Sequence, residues 1–399
     1  MRSLRWVLVL GALAAAGIGL APSANAVPAF ARREGLLCQN CHFRVPELNQ
    51  EGHDYLLGGL RERPLPAERC LPRQAPAPPP CDRADRSVLG EPVPLPSGEL
   101  WSFMLSPDEV FVKGEEPAFE RGALELHVIA PWNPNWSALA AYAVELQAGP
   151  SSFDVVYGQY ISPWQPRFGS GRAGRVLPFA IELNQGGPTL SLSTPVVLEA
   201  SPDTGSPWSP TTLLRGAEVG LLWLPHWAIY LGAGRPILED SPGNRSHTDL
   251  YASGERIFDA RGDSITGYLY LGQASLAPDA PLQSFSRWGG FGNLYRRNLK
   301  VIGGFLAGRD HDLDGVALDN VGYFLTAEQL LSPRWAAYGR YDGFRQDLSG
   351  GGGQRTSGPT LGVVWWADTS AIVTAEAQSL ATSGAATSRT IVVALTLPF

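Results

Sequence analysis

The chain has 399 residues, of which 44% are hydrophobic, 10% aromatic and only 17% charged, and its formal net charge is −7. This acidic balance excludes the basic surface that binding to nucleic acid requires, so no nucleic-acid partner is expected. Many aromatic residues, 45 glycines and few charges are typical of a membrane barrel with an apolar outer band and polar turns.

An export signal is predicted at residues 1–26. Arg2 and Arg5 give a positive start, an apolar run extends from Trp6 to Leu20, and small residues up to Ala26 form a cleavage site. We expect cleavage after Ala26, with an uncleaved anchor as the alternative. No second run of 18 apolar residues follows, so any later crossing of a membrane is expected to use strands.

Residues 27–63 contain a motif with a specific chemistry. Cys38, Cys41 and His42 form a C-x-x-C-H sequence. Two thiols separated by two residues can bond to the two vinyl groups of a haem, and the adjacent imidazole can then ligate the iron. The motif therefore predicts one covalently bound haem c in a small, largely helical or irregular cytochrome segment. This segment is too short to cover both faces of a haem, so a barrel lumen is the expected cover.

Residues 64–97 are predicted to be an extended linker, because ten prolines lie between Arg63 and Ser97. Cys70 and Cys81 lie in this linker and are expected to form a disulfide, since an exported protein meets an oxidising compartment. Two separate thiols are the alternative. A zinc site shared with the motif cysteines, or a disulfide within the motif, also stays open, although ten residues separate Cys70 from Cys81 and zinc sites usually use two to four.

Residues 98–399 are predicted to form an all-β, outer-membrane antiparallel barrel. A barrel with both ends in the periplasm has an even number of strands, so about sixteen wall strands are expected, and one candidate, 98–112 or 189–198, is expected in a loop or the lumen. A soluble β-sandwich is the alternative. Strand periodicity is found at 98–112, 118–130, 136–148, 152–162, 177–184, 189–198, 210–224, 227–234, 249–258, 262–274, 284–294, 298–308, 319–331, 334–344, 356–367, 369–378 and 387–399.

The connections and faces of these segments indicate how the barrel is oriented. Tight turns such as "LPHW" and "ADT" alternate with longer connections, so we assign the tight turns to the periplasm and the longer ones to the outside. The last segment ends on Phe399, which resembles the terminal strand of bacterial outer-membrane barrels. Polar and apolar faces alternate as well, which predicts a polar lumen that includes Arg340, Asp342, Thr374 and Glu376.

The haem motif and its surroundings resemble a known family, the outer-membrane cytochrome–porin fusions, whose studied members are iron oxidases of Fe(II)-oxidising bacteria. A second, shorter similarity is Ile181–Thr189. The resemblance implies that the chain takes electrons from extracellular Fe(II), as an Fe(II):cytochrome c oxidoreductase, and passes them to a periplasmic cytochrome c or another carrier. The proline-rich insert and His53 depart from the family pattern, so the donor could differ. The shared positions are Ala31, Arg32, Gly35, Cys38, Cys41, His42, Phe43, Pro46, Leu48 and Gly52.

Met104 is the expected second axial ligand of the haem iron. The chain has two Met residues, and the other one, Met1, leaves with the signal. The pleat of a strand places Met104 on the same side as two serines, so its thioether is expected to point into the polar lumen. Ligation by Met raises the haem potential, which suits an acceptor of electrons from Fe(II). His53 and His127 are the competing ligands.

Three carboxylates in "RDHDLDG" form a candidate site for attracting Fe(II), because hard oxygen ligands suit this ion. They are Asp310, Asp312 and Asp314, expected on the extracellular connection 309–318. The same loop begins like a calcium loop but has Val321 where the twelfth-position Glu would be, and a solvated acidic loop is the alternative. The functional alternatives are a porin with a structural or sensory haem, and an electron conduit that works outward or with another donor.

Overall fold

The structure is a computed structural model that describes residues 42–44, 47–48, 101–112, 118–133, 136–145, 152–162, 168–186, 190–201, 208–223, 227–237, 245–258, 263–275, 283–311, 315–332, 334–348, 351–368 and 371–398. The predictions for the signal peptide 1–26, the linker 64–97, the Cys70–Cys81 disulfide and Phe399 lie outside these residues. A short antiparallel pair, β1 (His42–Arg44) and β2 (Glu47–Leu48), is the described part of the predicted haem segment.

Seventeen strands form one large antiparallel sheet in the described residues, and sixteen of them, all but the two-residue β10, make its wall. The strands are β3 (Trp101–Val112), β4 (Ala118–Asn133), β5 (Trp136–Glu145), β6 (Ser152–Ile161), β7 (Phe168–Val176), β8 (Leu214–Trp223), β9 (Trp227–Pro236), β10 (Arg245–Ser246), β11 (Asp249–Ile257), β12 (Ser264–Ser275), β13 (Gln283–Arg296), β14 (Leu299–His311), β15 (Ala317–Ser332), β16 (Trp335–Asp347), β17 (Gly353–Asp368), β18 (Ala371–Thr382) and β19 (Ser388–Pro398).

The wall closes on itself. Each strand pairs with its neighbours in the sequence, β9 pairs with β11 past the short β10, and the last strand, β19, pairs with β3. Closure leaves no unpaired sheet edge, which is the condition for strands to cross a bilayer. The prediction of an antiparallel barrel of about sixteen strands is therefore confirmed.

The two faces of the wall differ in polarity as predicted. Along β15 the side chains of Val321, Tyr323 and Leu325 are exposed on the outer surface, whereas Thr326 and Glu328 on the other face are fully buried. An apolar outer face is what lipid requires, and the polar groups are consequently directed to the lumen. The inward positions predicted for Arg340, Asp342, Thr374 and Glu376 are confirmed, because all four side chains are buried.

Two segments between β6 and β8 differ from their predictions. The segment 177–184 was expected as a strand, but this prediction is wrong, because Phe179–Ile181 is one helical turn (α1) and Glu182–Gly186 continues it as a π-helical turn. The strand in this region is β7, "FGSGRAGRV", whose small residues carry little apolar alternation. The expectation that 189–198 lies outside the wall is confirmed, and 98–112 supplies β3.

The connection from β7 to β8 folds back into the barrel, and we call residues 177–213 the lumen-crossing segment. It contains α1, the π-helical turn and a second short helix, α2 (Val196–Glu199). Its buried apolar side chains, among them Leu198 and Trp208, pack with lumen-facing side chains of the wall. No helix among the described residues is long and apolar enough to span a bilayer.

Candidate functional site

A buried arginine on β7 holds the start of the lumen-crossing segment. The Arg172 guanidinium donates from Nη1 to Glu182 at 2.8 Å and from Nε to Glu218 of β8 at 3.2 Å. Its remaining nitrogen donates to the carbonyl oxygen of Leu177, and its carbon lies 3.3 Å from the centre of the Phe179 ring. One cation therefore holds two carboxylates and the first turn of the segment, which fixes where the chain leaves the wall.

The opposite wall holds the middle of the segment through a buried carboxylate on β18. Glu376 accepts hydrogen bonds from Ser191 Oγ at 2.7 Å, from the Leu192 backbone nitrogen at 3.0 Å and from the Ser193 backbone nitrogen at 3.1 Å. A fourth donor is Tyr338 Oη at 2.8 Å. A carboxylate that accepts four donors in a water-poor interior forms a strong and specific attachment point.

A second attachment lies beside it on β16. Arg340 donates to Ser191 Oγ at 2.8 Å and to Ser193 Oγ at 2.9 Å, and its Nε donates to Asp342 at 2.8 Å. The side chains of Arg340 and Asp342 are both fully buried. Asp342 in turn accepts from the backbone nitrogen of Val196, the first residue of α2, at 3.3 Å. In a ring of sixteen strands, β16 is eight steps from β7 in either direction, so the segment spans the full width of the lumen.

Apolar contacts complete this attachment. Leu190 packs against Tyr338, Val364 and other apolar side chains on β16 to β18. Val197 lies so close to Gly322 of β15 that a Cβ atom at this glycine would be 2.6 Å from its Cγ2. The lack of a side chain at Gly322 is thus required for α2 to reach the wall.

The returning end of the segment is held on a third side, at β11 and β12. Trp208 Nε1 donates to Tyr270 Oη at 2.9 Å, and Tyr270 Oη donates to Asp249 at 2.6 Å. The backbone nitrogen of Gln273 donates to the same carboxylate at 3.0 Å. The rings of Trp208 and Tyr270 are 4.6 Å apart, and Trp208 is equally close to Phe285. Three separate anchors therefore fix the segment inside the barrel.

Asp310, predicted to attract Fe(II) from a loop, lies in strand β14, so the loop placement was wrong for this residue. Its carboxylate is fully buried and accepts from Arg287 at 2.5 Å and from Asn320 at 3.0 Å. The strand extends to His311, beyond the end that the alternation predicted for it. Because Arg287 neutralises its charge inside the barrel, Asp310 is not an external carboxylate that could collect cations.

The other predicted site residues are only partly within the structure. The backbone of His42 is in β1, Met104 pairs with Glu125 of β4, and His127 pairs with Ser102 of β3. No group of three or more His, Cys, Asp or Glu side chains that could hold a metal ion occurs within the part of the chain that the structure describes. Cys38, Cys41, His53, Asp312 and Asp314 lie outside the described residues.

The charged side chains buried among the described residues are mostly acidic. Eight are carboxyl groups and four are basic groups. The field of such an interior favours cations over anions. The cations are Arg172, Arg287, Lys300 and Arg340, and the carboxylates are Glu218, Asp249, Glu255, Asp263, Asp310, Glu328, Asp342 and Glu376.

Comparison with solved structures identifies the type of barrel. The chain is similar to an anion-selective porin from Comamonas acidovorans, with 12% identity and a TM-score of 0.57 over 75% of this chain and 98% of the porin. It is also similar to OmpT of Vibrio cholerae in its trimer form, with 11% identity, a TM-score of 0.56 and coverage of 75% and 98%. The outer-membrane channel DcaP of Acinetobacter baumannii matches with 9% identity, a TM-score of 0.50 and coverage of 75% and 96%.

These likenesses show that the chain has the β-barrel fold of outer-membrane porins. At such low identities they concern the fold alone. No protein-family profile and no curated protein matches the chain.

Proposed function

We propose that the protein is an outer-membrane cytochrome–porin that takes electrons from extracellular Fe(II) and delivers them to a periplasmic electron carrier. The observation that carries this proposal is a C-x-x-C-H motif ahead of a porin-type barrel in one chain. A porin needs no haem and a cytochrome needs no barrel, so the function of one part does not explain why the other part is present. Together they provide a redox group and a protein wall that insulates it from the lipid.

The donor set of the N-terminal segment fits haem c. Cys38 and Cys41 have the spacing for two thioether bonds, and His42 follows directly as the iron ligand. When bound, the haem supplies a one-electron acceptor. A periplasmic position for this segment is supported by the start of β3 at Trp101, which lies at the same end of the wall as the short connections from β4 to β5 and from β13 to β14. Short turns face the periplasm in this class of barrel.

Met104 is retained in the proposal as the second ligand of the iron. It is the fourth residue of β3 and its backbone pairs with Pro398 of the last strand, so it lies near the periplasmic end of the wall. That is the end from which the N-terminal segment enters the barrel. A thioether from the first strand of the wall would then tie the haem segment to the barrel.

The chemistry of the lumen supports a cationic substrate. The excess of buried carboxylates over buried cations among the described residues favours Fe(II) over anionic solutes. The lumen-crossing segment is held on three sides by Arg172, Glu376 and Trp208, which narrows the path for bulky solutes. Electrons need no open pore, whereas transported nutrients do.

A reduced-minus-oxidised absorbance spectrum of outer-membrane fractions tests the proposal. We expect haem c bands in these fractions from the wild type and none from Cys38→Ala. In intact wild-type cells, the bands of reduced haem should appear when Fe(II) is added. Cys70→Ala, which removes a cysteine outside the motif, is the matched control and should keep the bands. Outer membranes that contain the barrel but no haem bands would overturn the proposal.

A solute-transporting porin with a structural or sensory haem is the second candidate, and the likeness to solved porins favours it. Ion conductance in planar bilayers separates the two functions. A transport porin should conduct steadily with its lumen open, and its haem should not respond to external Fe(II). The conduit should show low conductance and a haem that external Fe(II) reduces.

A further inference from the structure

A group of apolar side chains faces the lumen at the periplasmic end of the wall. On β17, Leu361 and Val363 are exposed on the lipid face, so Val364 and Trp366 at the alternate positions point inward. The group lies beside the short connections from β15 to β16 and from β17 to β18, and its members are neighbours in register. We call it the apolar ledge, and it consists of Leu330, Ala336, Val364, Trp366 and Ile372.

The ledge is shielded from water. Ala336, Val364 and Ile372 are exposed at 0%, 1% and 4%, and Trp366 at 7%. A side chain that points into the lumen of a barrel meets the water there unless another body fills the lumen beside it. An apolar body therefore lies against the ledge, because apolar surface is buried most favourably against apolar surface.

A second apolar patch of the inner wall shows how such side chains are covered in this barrel. Leu222 and Ala228 flank the short connection from β8 to β9 and are fully buried. Phe179 and Leu183 of the lumen-crossing segment pack against this patch. The patch is thus covered by apolar side chains from another part of the chain.

The lumen-crossing segment reaches the ledge from the extracellular side. Among the described residues of this segment, Leu190 packs in the same cluster as the ledge. Its neighbour Ser191 is bound to Arg340 and Glu376. Each of these two residues lies four positions farther from the periplasmic end than the ledge residue that begins its strand. The periplasmic side of the ledge therefore faces a second occupant.

The start of the wall lies close to the ledge. Strand β19 lies between β18 and β3, so Ile372 on β18 and Met104 on β3 are two strands apart, which is about 10 Å. Ile372 pairs with Thr396 and Met104 pairs with Pro398, so their heights along the wall differ by two residues. The chain that precedes β3 therefore enters the wall beside the ledge.

The haem segment, residues 27–63, is the occupant that this position favours. Residues 64–100 join it to β3, so its docking is intramolecular and has a higher effective concentration than the docking of a separate protein. Its five basic and five acidic residues cancel, so no net charge opposes burial against an apolar surface. A bound haem adds a large apolar ring that also needs cover.

We propose that the haem segment docks against the apolar ledge, with Trp366 and Ile372 against an apolar edge of the haem. The inference rests on the proposed function, since it requires haem bound to this segment. Apolar side chains around a haem limit the access of water and raise its potential, which suits an acceptor of electrons from Fe(II). The proposed ligand Met104 would reach the same haem from two strands away.

Hydrogen exchange of the haem-loaded, full-length protein tests the proposal, with peptides from 43–63 as reporters of docking. These peptides should be protected in the wild type. Trp366→Ala removes the largest side chain of the ledge, so their exchange should accelerate about 10- to 100-fold as the undocked population grows. The haem potential should fall in the same variant, because water then reaches the haem.

Trp365→Ala is the matched control. Trp365 precedes Trp366 on β17, and its ring lies 6.1 Å from that of Trp335, which is exposed on the lipid face. The control should leave both the exchange of 43–63 and the haem potential unchanged. Ile372→Thr keeps a β-branched side chain suited to a strand, and it should accelerate exchange about threefold to tenfold even if Trp366→Ala does not fold.

The outcomes separate this docking from the proposed function. Unchanged exchange and potential in Ile372→Thr and in a folded Trp366→Ala would overturn the docking, even where Fe(II) still reduces the haem. Faster exchange with a haem that Fe(II) does not reduce would support the docking and contradict the proposed function. Faster exchange confined to peptides from 64–97 would show that the linker covers the ledge, which overturns the proposal.

Discussion

Glu376→Gln should release the lumen-crossing segment from the wall without opening the barrel. The carboxylate accepts three hydrogen bonds from the segment, from Ser191, Leu192 and Ser193. A bond to a charged acceptor contributes about 1 kcal/mol more than a bond to a neutral one, so the isosteric amide weakens the attachment by about 3 kcal/mol. This corresponds to an increase of about 150-fold in the detached population.

Hydrogen exchange followed by mass spectrometry measures this change at the affected atoms. The backbone N–H groups of Leu192 and Ser193 donate to Glu376, so peptides that cover 190–200 report the opening directly. We expect their exchange to accelerate by about two orders of magnitude, while wall peptides from β16 keep their protection. Ion conductance in planar bilayers should rise in the same variant, because the segment is detached from this wall for a larger fraction of the time.

Thr374→Val is the matched control for this variant. Thr374 lies two residues earlier on the same strand, and its side chain is also buried on the lumen side. It should leave both exchange and conductance unchanged. Unchanged exchange at 190–200 in Glu376→Gln would refute the view that this carboxylate holds the segment.

Three further predictions concern the other anchors and the haem. Arg172→Met should lower the free energy of unfolding in urea by about 3–5 kcal/mol, because Glu182 and Glu218 lose their buried cation. Tyr270→Phe should lower the free energy of unfolding by about 1–3 kcal/mol, because the indole nitrogen of Trp208 and the carboxylate of Asp249 both lose a hydrogen-bond partner. Urea titration followed by tryptophan fluorescence measures this loss. An unchanged unfolding midpoint would contradict the observed hydrogen-bond chain. Met104→Leu conserves volume and should remove the near-infrared band of sulfur-to-iron charge transfer and lower the haem potential; an unchanged spectrum and potential would exclude Met104 and favour His53.

The wall of the barrel could be predicted from the sequence because its signal is local. Alternation with a period of two defines each strand. Polar side chains such as Arg340 and Glu376 then show which face of the strand points into the lumen. Strand β7 was missed because "FGSGRAGRV" has mostly small residues, and small residues give no apolar period. The neighbouring segment 177–184 has apolar residues that suit either a strand or a helical turn. In the structure they form a helical turn that packs inside the lumen.

The interior of the barrel could not be predicted in the same way. Arg340 and Glu376 were assigned to the lumen, but their partners Ser191 and Ser193 lie about 150 to 185 residues away in the sequence. Such pairs depend on how the connection after β7 folds back into the lumen, and no local sequence pattern predicts this fold. Asp310 shows the same limit, because its pairing with Arg287 depends on the register of β13 and β14.

Electron transfer across a vesicle membrane is the decisive test of the proposed function. The full-length, haem-loaded protein is inserted into lipid vesicles that contain an oxidised soluble c-type cytochrome, and Fe(II) is added outside. We predict reduction of the trapped cytochrome by the wild type and none by a Cys38→Ala/Cys41→Ala variant that inserts equally well. The proposed function would be contradicted if the wild type left the trapped cytochrome oxidised, or if the variant reduced it at the same rate.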